Sequence, residues 1–567
     1  MDIMKKMIID IQRNKVTLIA LGIILAVGIF LRTYHFRDWL LFGDDQIRDA
    51  YITNDVISGK SPLPLVGPFM SYSGDGEHSE AESFHMGPIY YYFQIISAKL
   101  FGNYPDKLAY PDVFFSILSI PLLFLFFRIY FNKNISLGIT GLYAISDYFI
   151  SYSRFAWNTN LIPFFVLLFL LSLYKFLEKN EKTNYIWILF LGISLGIGFQ
   201  LHAIVMILFS VVTFSVFLFS MKKNFRAWKK WAVVLLIFMF LNASQIISEV
   251  KTNFSNSKSL LHSVRNNSSG TPSINSISFS RLGNDLDCHA EANFFLLTSY
   301  GSGRCVHDFI SAKPDTWKSH YFQNFVGGAE FAILLTSLIF SISGYLFLVY
   351  LAKSEKDQTK KHFLQLIVLY CVVGFLIMLP LSKNDINELR YFVFGFFVPF
   401  LFLGFLLKFI SAKIRKLMLL IPVMIILFGL LIYSNVQAIN SEAGPFRDSR
   451  VTCSNLYKVT LGELENAVQY IVSYSDGQKK IYLDKDSSHR VMSDALVYLL
   501  ARRGIEAVKL KEDVSSDSVE DGQRFYLSCK MPGAFPRGTT LRFDEDYSDQ
   551  RVGEFYIFHL NTTRDLK

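Results

Sequence analysis

The chain has 567 residues, of which 51% are hydrophobic and 55 are Phe, and its formal net charge is +9. That much apolar surface excludes an ordinary water-soluble globular protein. Lys and Arg fall in short clusters between apolar runs rather than on one continuous basic face, which argues against a nucleic-acid partner and for membrane topology.

Basic residues Lys5, Lys6, Arg13 and Lys15 precede an apolar stretch from Val16 to about Leu31. The stretch is long enough for a span and no Ala-x-Ala-type cleavage site follows it, so an uncleaved first helix is predicted. Apolar runs of spanning length then recur near 112–130, 135–151, 160–177, 185–201, 202–220, 231–248, 326–351, 362–381, 389–410 and 417–434, which makes eleven with the first at 16–33. One further run, Gly87 to Phe101, is short, carries Tyr90, Tyr91, Tyr92 and Lys99, and is ambiguous by length alone.

Charge decides that case. With Gly87–Phe101 left out, one set of short loops holds Arg128/Lys133, Lys175/Lys179/Lys182, Lys222/Lys223/Arg226/Lys229/Lys230, Lys353/Lys356/Lys360/Lys361 and Lys408/Lys413/Arg415/Lys416. The opposite short loops hold little beyond Lys107, Arg154, Lys383 and Arg390, as the positive-inside rule requires. Counting the run as a span would invert every later loop, so it is predicted as an amphipathic helix on the outer surface. The N-terminus is then cytoplasmic, in what is expected to be the plasma membrane. Two large loops, about 34–111 and 251–325, lie outside, and so does the C-terminus.

Past about Val436 the pattern changes. LGELENAVQYIVSYS has helical period, KKIYLD and RFYLSC alternate as strands, and SDALVYLLARRG is a helix closed by Gly504. The predicted fold class is a polytopic α-helical membrane protein, residues 1–435, followed by a small extracytoplasmic α/β domain, residues 436–567. Of the five cysteines, Cys371 sits in an apolar run, Cys288 and Cys305 share the second outer loop, and Cys453 and Cys529 share the C-terminal domain. In an oxidising compartment two local disulfides could form; unpaired thiols are the alternative.

The sharpest chemical signal is LLFGDDQIRDA, which puts Asp44 and Asp45 just outside the first span. Paired carboxylates at a lipid boundary are costly unless they accept hydrogen bonds, bind a cation or act as a base. A plain helix cap is the alternative for Asp44. In SGDGEHSEAESFHMGPIYYY, the residues Glu82 and His85, together with Asp45, are of types that suit a divalent cation, although their spacing is not that of an established metal site; a solvated acidic loop is the blander account. Arg154, His202 and Arg390, the last followed by Tyr391, stand at outer span ends, where cations can bind a lipid phosphate or simply anchor the helix. The absence of Walker, HExxH and CxxC patterns disfavours nucleotide hydrolysis, zinc proteolysis and thiol redox chemistry.

An outer Asp pair after the first span, then HMGPIYYY, then SRFAWNTN, resembles the GT-C superfamily of membrane glycosyltransferases, in its protein-mannosyltransferase and aminoarabinose-transferase-like branch. The resemblance covers about residues 10–440 and implies a seven-helix module at about 16–248 in a GT-C-like arrangement of about eleven spans. It also implies a polyprenyl-phosphate-linked sugar as donor, a glycan, lipid or protein acceptor, and inverting displacement at the anomeric carbon. Asp44 matches the catalytic acidic position and is expected to be the base; Asp45 matches the second, which is often Glu in relatives. His85 to Pro88 match an HPPL-like element, with Met86 and Gly87 in place of its first Pro. Arg390 with Tyr391 is the first expectation for gripping the carrier phosphate, followed by Arg154 and His202, and a divalent cation is the one cofactor these groups could take. Competing readings are a transporter or lipid flippase, which would place ionisable residues at mid-membrane, an enzyme joining lipid-linked glycans, and a non-catalytic scaffold.

Overall fold

The computed structural model describes residues 14–70, 84–178, 184–223, 228–265, 279–300, 329–381, 389–414, 417–441, 444–446, 459–475, 477–485, 490–509, 523–528, 548–552 and 555–560. Helix α1, Lys15–Thr33, is followed by α2, Asp44–Ile57, a two-stranded ribbon of β1, Phe69–Met70, and β2, Phe84–His85, and then α3, Ile89–Phe101. At about 1.5 Å per residue α3 reaches about 20 Å, short of a hydrocarbon core of about 30 Å. It packs on α2 and on neighbouring helices.

The bundle continues with α4, Tyr110–Phe127, α5, Lys133–Ala144, α6, Ile162–Leu177, α7, Asn184–Leu201, α8, Ala203–Lys223, and α9, Trp228–Leu241. Next come α10, Ala243–Lys251, α11, Ser255–Arg265, α12, Phe279–Thr298, α13, Ala329–Ser354, α14, Gln358–Leu381, α15, Val398–Lys413, and α16, Leu417–Ile439. Seven helices among the described residues are long and apolar enough to cross a membrane, or eight if α9 and α10, bent by 64° at Asn242, form one broken span. The other three of the eleven expected runs take shorter forms. Run 135–151 breaks after α5 and resumes as a five-residue helix, Asp147–Ser151; run 185–201 is α7; and run 389–410 opens as the 3-10 turn Leu389–Gly395 before α15.

Part of the expected outer loop 251–325 is placed differently. Helix α12 packs among α13, α14, α15 and α16, with Asn293 Nδ2 donating to Ser341 Oγ at 3.2 Å and Asn435 Nδ2 to Leu297 O at 3.1 Å. Its polar letters Asp285, Asp287, His289 and Glu291 hide the apolar face that buries it, and all four are buried. Cys288, on the same helix, is disulfide-bonded and Cys371 is free.

Beyond α16 the C-terminal part forms α17, Leu461–Ser473, β3, Lys480–Lys485, α18, Arg490–Ala501, β4, Glu506–Lys509, β5, Gln523–Ser528, β6, Ser548–Val552, and β7, Phe555–Leu560. The strands make one sheet in the order β4-β3-β5-β7-β6, with β3 parallel to β4 and β5 and the remaining pairs antiparallel. Thr460 caps α17 reciprocally with Glu463, and Gly504 ends the stretch after α18 at φ +78°, a left-handed conformation that glycine adopts without penalty. Its hydrophobic core is continuous with the first outer loop: Leu464, Ile471, Leu496 and Phe525 pack with Phe36, Leu40, Phe42, Ile47 and Ala50.

Candidate active site

Helix α2 begins where Gly43 leaves the chain extended and Gln46 turns its side chain back to accept from Gly43 N at 3.1 Å. Gln46 also donates to Ala156 O at 3.0 Å, tying the start of α2 to the loop before α6. Asp44 and Asp45 both occupy the first turn, where the helix dipole favours negative charge. They point to different surroundings. Asp44 is exposed, while Asp45 lines a cleft that is open to solvent.

The floor and walls of this cleft come from the ends of apolar bundle helices: Ile162 on α6, His202 between α7 and α8, Ile204 and Val205 on α8, and Tyr391, Val393 and Phe394 on the 3-10 turn before α15. Trp157, Asn158 and Thr159 close one side, and Pro68, Phe69 and Arg48 the other. Asp45, His202 and Tyr391 are thus brought together from positions far apart in the chain. The His202 and Tyr391 rings lie 6.2 Å apart between centroids.

Arg48 is the residue that organises the acidic side. Its Nη1 lies 2.7 Å from Asp45 Oδ1, and its Nε and Nη2 donate to Asp49 Oδ1 at 3.0 and 2.8 Å. Its guanidinium also sits over the Phe69 ring, 5.8 Å from the centroid. Burial works against the Arg48 charge, but the Asp49 and Asp45 carboxylates outweigh it and raise the pKa. Burial pushes the Asp49 carboxyl up to about 6, against the lowering pull of Arg48. Arg48 also lines a second cleft, built wholly from residues 48–91 with Asp55, Pro62, Pro64, His85 and Tyr91 among its walls.

His85 is held at the edge of that second cleft. Asn256 on α11 accepts from His85 N at 2.5 Å and donates to His85 O at 3.0 Å, and the imidazole Nδ1 meets Gly67 O at 3.1 Å. The ribbon is tight: a side chain on Gly67 would place its Cβ 2.1 Å from Gly87 O. A Cβ on Gly87 would in turn lie 2.2 Å from Gln200 Oε1, so both positions are fitted by glycine.

Behind the Trp157 wall lies the buried carboxylate of Asp112, which accepts from Tyr90 Oη at 2.9 Å and from Trp157 N at 3.1 Å. Asn158 Nδ2 donates to Leu201 O at 2.5 Å, next to His202. These bonds join α3, α4 and the α7–α8 break to one wall of the cleft.

The remaining expected residues fall elsewhere. Arg154 is buried away from both clefts, donating to Leu31 O at 3.3 Å and Tyr34 O at 2.8 Å, with Phe36 and Phe446 stacked 5.8 and 5.5 Å from its guanidinium carbon. Arg390 belongs to the turn that carries Tyr391, but its side chain lies outside those described; Glu82 lies outside the described residues altogether. For a divalent cation the fit is poor. Asp45 and His85 line different clefts, Arg48 already occupies Asp45, and no group of three His, Cys, Asp or Glu side chains with metal-holding geometry occurs among the described residues. Arg48, Asp49, Asp112 and Trp157 were not expected from the sequence. The spacing of Asp45, Arg48 and Asp49 on a helix start, three and four residues apart, is the signal that could have found the first two.

Residues 85–247 match the model of the dolichyl-phosphate-mannose-protein mannosyltransferase family. A sequence search against curated proteins gave no match. Among solved structures, ArnT from Cupriavidus metallidurans bound to undecaprenyl phosphate superposes with a TM-score of 0.50 at 9% identity, over 96% of this chain and 97% of that one. The Archaeoglobus fulgidus oligosaccharyltransferase AglB, in complex with an inhibitory peptide and a dolichol-phosphate, gives 0.45 at 11% identity, over 88% of this chain but 65% of its own. An A. fulgidus oligosaccharyltransferase with Zn and sulfate gives 0.43 at 10% identity; this chain spans 62% of its length. The resemblance to GT-C membrane glycosyltransferases, and with it the helical membrane fold, is borne out.

Proposed function

We propose that the protein transfers a sugar from a polyprenyl-phosphate-linked donor to a hydroxyl-bearing acceptor at the outer face of the membrane, with inversion at the anomeric carbon. The observation that carries this proposal is the position of Asp45: a carboxylate gripped by Arg48, in a cleft whose other walls are the outer ends of apolar helices. A donor with its tail in lipid and its phosphate at the interface fits such a cleft without a separate nucleotide-sugar domain. The fold shared with ArnT and the family match over residues 85–247 support the same class of donor.

In this mechanism Asp45 takes the proton of the acceptor hydroxyl as its oxygen attacks the anomeric carbon. The bond from that carbon to the phosphate oxygen breaks, and the phosphate leaves with the electron pair. Arg48, His202 and Arg390 are the groups assigned to the developing phosphate charge, and Tyr391 to the donor headgroup. Asp45 replaces Asp44 as base, because Asp44 is exposed and lines neither cleft. Arg154 is assigned a structural role, since its donors are directed at the backbone carbonyls of α1 and its exit. The N-terminus is assigned to the cytoplasm and the C-terminal domain to the outside on the charge pattern. Transfer of labelled sugar from a panel of polyprenyl-phosphate donors by the purified protein tests the proposal; no transfer from any of them contradicts it.

A second function is favoured by one observation. Buried acids in a membrane bundle are characteristic of ion-coupled transport, and α12 places Asp285, with neither carboxylate oxygen hydrogen-bonded, 3.8 Å from His289 Nε2. Cation- or proton-driven movement of a lipid-linked sugar across liposomes, lost in Asp285→Asn while transfer activity persists, would support transport as well.

A further inference from the structure

The segment that leads into α2 is joined to the start of the C-terminal domain by backbone hydrogen bonds around one isolated β-bridge. Phe42 N donates to Val459 O at 3.1 Å, Leu461 N to Leu40 O at 2.7 Å, and Gly462 N to Asp38 O at 3.0 Å, with Leu41 and Thr460 directly opposite. The chain approaches so closely that a Cβ on Gly462 would lie 2.9 Å from Asp38 O. Two polar clamps flank this pairing. Glu465 on α17 accepts from Arg37 at 2.6 Å and from the Tyr104 hydroxyl. Arg502, just past α18, donates to Asn103 O, reaches Asn54 Oδ1 at 3.5 Å, and sits 5.3 Å from the Tyr104 ring centroid.

Helix α2 therefore has two occupied faces. Ile47 and Ala50 are buried in the core that includes α17 and α18, and Tyr51 packs edge-on against Tyr498. Asp45, Arg48, Ile52 and Asp55 line the two clefts. Any displacement of the C-terminal domain must carry α2 with it, because the backbone pairing ends two residues before Asp44. On its other side α2 is tied directly to the opposite wall by Gln46 on Ala156 O, and that wall is braced in turn by Asp112 on Trp157 N.

We propose that the C-terminal domain is a positioning element of the transfer site, which fixes the Asp45–Arg48 pair against the membrane-side wall through the pairing at 38–42 with 459–462 and the Glu465 and Arg502 clamps. The proposal rests on the transferase function above for its kinetic consequence but not for its structural one. Glu465 and Arg502 are positioning residues: neither lines a cleft. Small displacements of a reacting group are expensive, with about 1 Å costing on the order of 100-fold in rate.

The test compares full-length wild type with Glu465→Ala/Arg502→Ala and with Glu465→Gln. The readouts are kcat and donor KM for sugar transfer, and amide hydrogen exchange at residues 42–48. Expected for the double variant are kcat lowered about 10- to 100-fold, donor KM within about twofold, and exchange at 42–48 faster by about tenfold. Glu465→Gln, which can still accept from Tyr104 and Arg37, should recover most of kcat. Oxidative linkage of Leu41→Cys and Thr460→Cys in the double-variant background should restore both readouts. Unchanged kcat with unchanged exchange overturns the proposal, as does parallel loss of donor affinity and global melting that linkage does not repair. If wild type moves no sugar from any donor while the exchange response holds, the transferase function fails and the positioning role stands.

Discussion

Arg48 and Asp45 face each other one turn apart on α2, Nη1 to Oδ1 at 2.7 Å, with the same guanidinium turned also onto the buried Asp49. One cation thus orients the carboxylate at the cleft and neutralises another behind it. Replacing Arg48 by Ala leaves Asp49 buried without its partner, which typically costs about 3–5 kcal/mol. The expected outcome is a lower melting temperature together with loss of transfer. Arg48→Lys should recover stability only in part, because an ammonium cannot reproduce a guanidinium fork. Full recovery of activity by Lys would argue against orientation by Arg48.

The acid limb of a pH–rate profile should report Asp49, whose carboxyl is pushed up to about 6 by burial. Below that pH the Asp49–Arg48 pair is broken by protonation, and activity should fall about tenfold per pH unit if the pair is needed. Stability moves the other way. A carboxyl whose folded pKa is raised stabilises most below its ordinary value of 3.8, and that contribution is lost as pH rises through 6. Asp49→Asn should flatten both dependences; an unchanged acid limb in that variant would assign it to another group.

Arg154→Ala separates a structural cation from a phosphate ligand. With its guanidinium bonded to Leu31 O and Tyr34 O and stacked between Phe36 and Phe446, the substitution should lower the unfolding free energy by about 2–4 kcal/mol, with donor KM changed less than about twofold in the folded fraction. A selective rise in donor KM at unchanged melting temperature would return Arg154 to the site.

The wall formed by Trp157 depends on Asp112. Removing the carboxylate leaves Trp157 N and the Tyr90 hydroxyl without their acceptor, at about 1–3 kcal/mol each. Asp112→Ala should therefore raise donor KM and lower stability together. Asp112→Asn keeps one acceptor oxygen and should be milder in both readouts.

The helical membrane fold was legible in the sequence because apolar runs of spanning length recur along most of the chain. The acidic pair was found because carboxylates stand out at a lipid boundary. Its internal order was not. Whether Asp44 or Asp45 enters the cleft depends on the rotation of α2, which is set by Gln46 on Ala156 and by the C-terminal domain, contacts that span more than 100 residues of sequence and leave no local trace. Helix α12 was missed because its acids lower its hydropathy, while its burial is decided by α13 to α16. Arg154 was assigned to the cleft because sidedness alone cannot tell an arginine that faces a ligand from one that binds backbone carbonyls.

The most direct test of the central claim is transfer of labelled sugar from polyprenyl-phosphate donors by Asp45→Asn and Asp44→Asn beside wild type. Asp45→Asn should lower kcat by about 100- to 10,000-fold with donor affinity retained, while Asp44→Asn stays within about tenfold of wild type. Undiminished turnover in Asp45→Asn, or a larger loss in Asp44→Asn, would contradict the assignment of Asp45 as base.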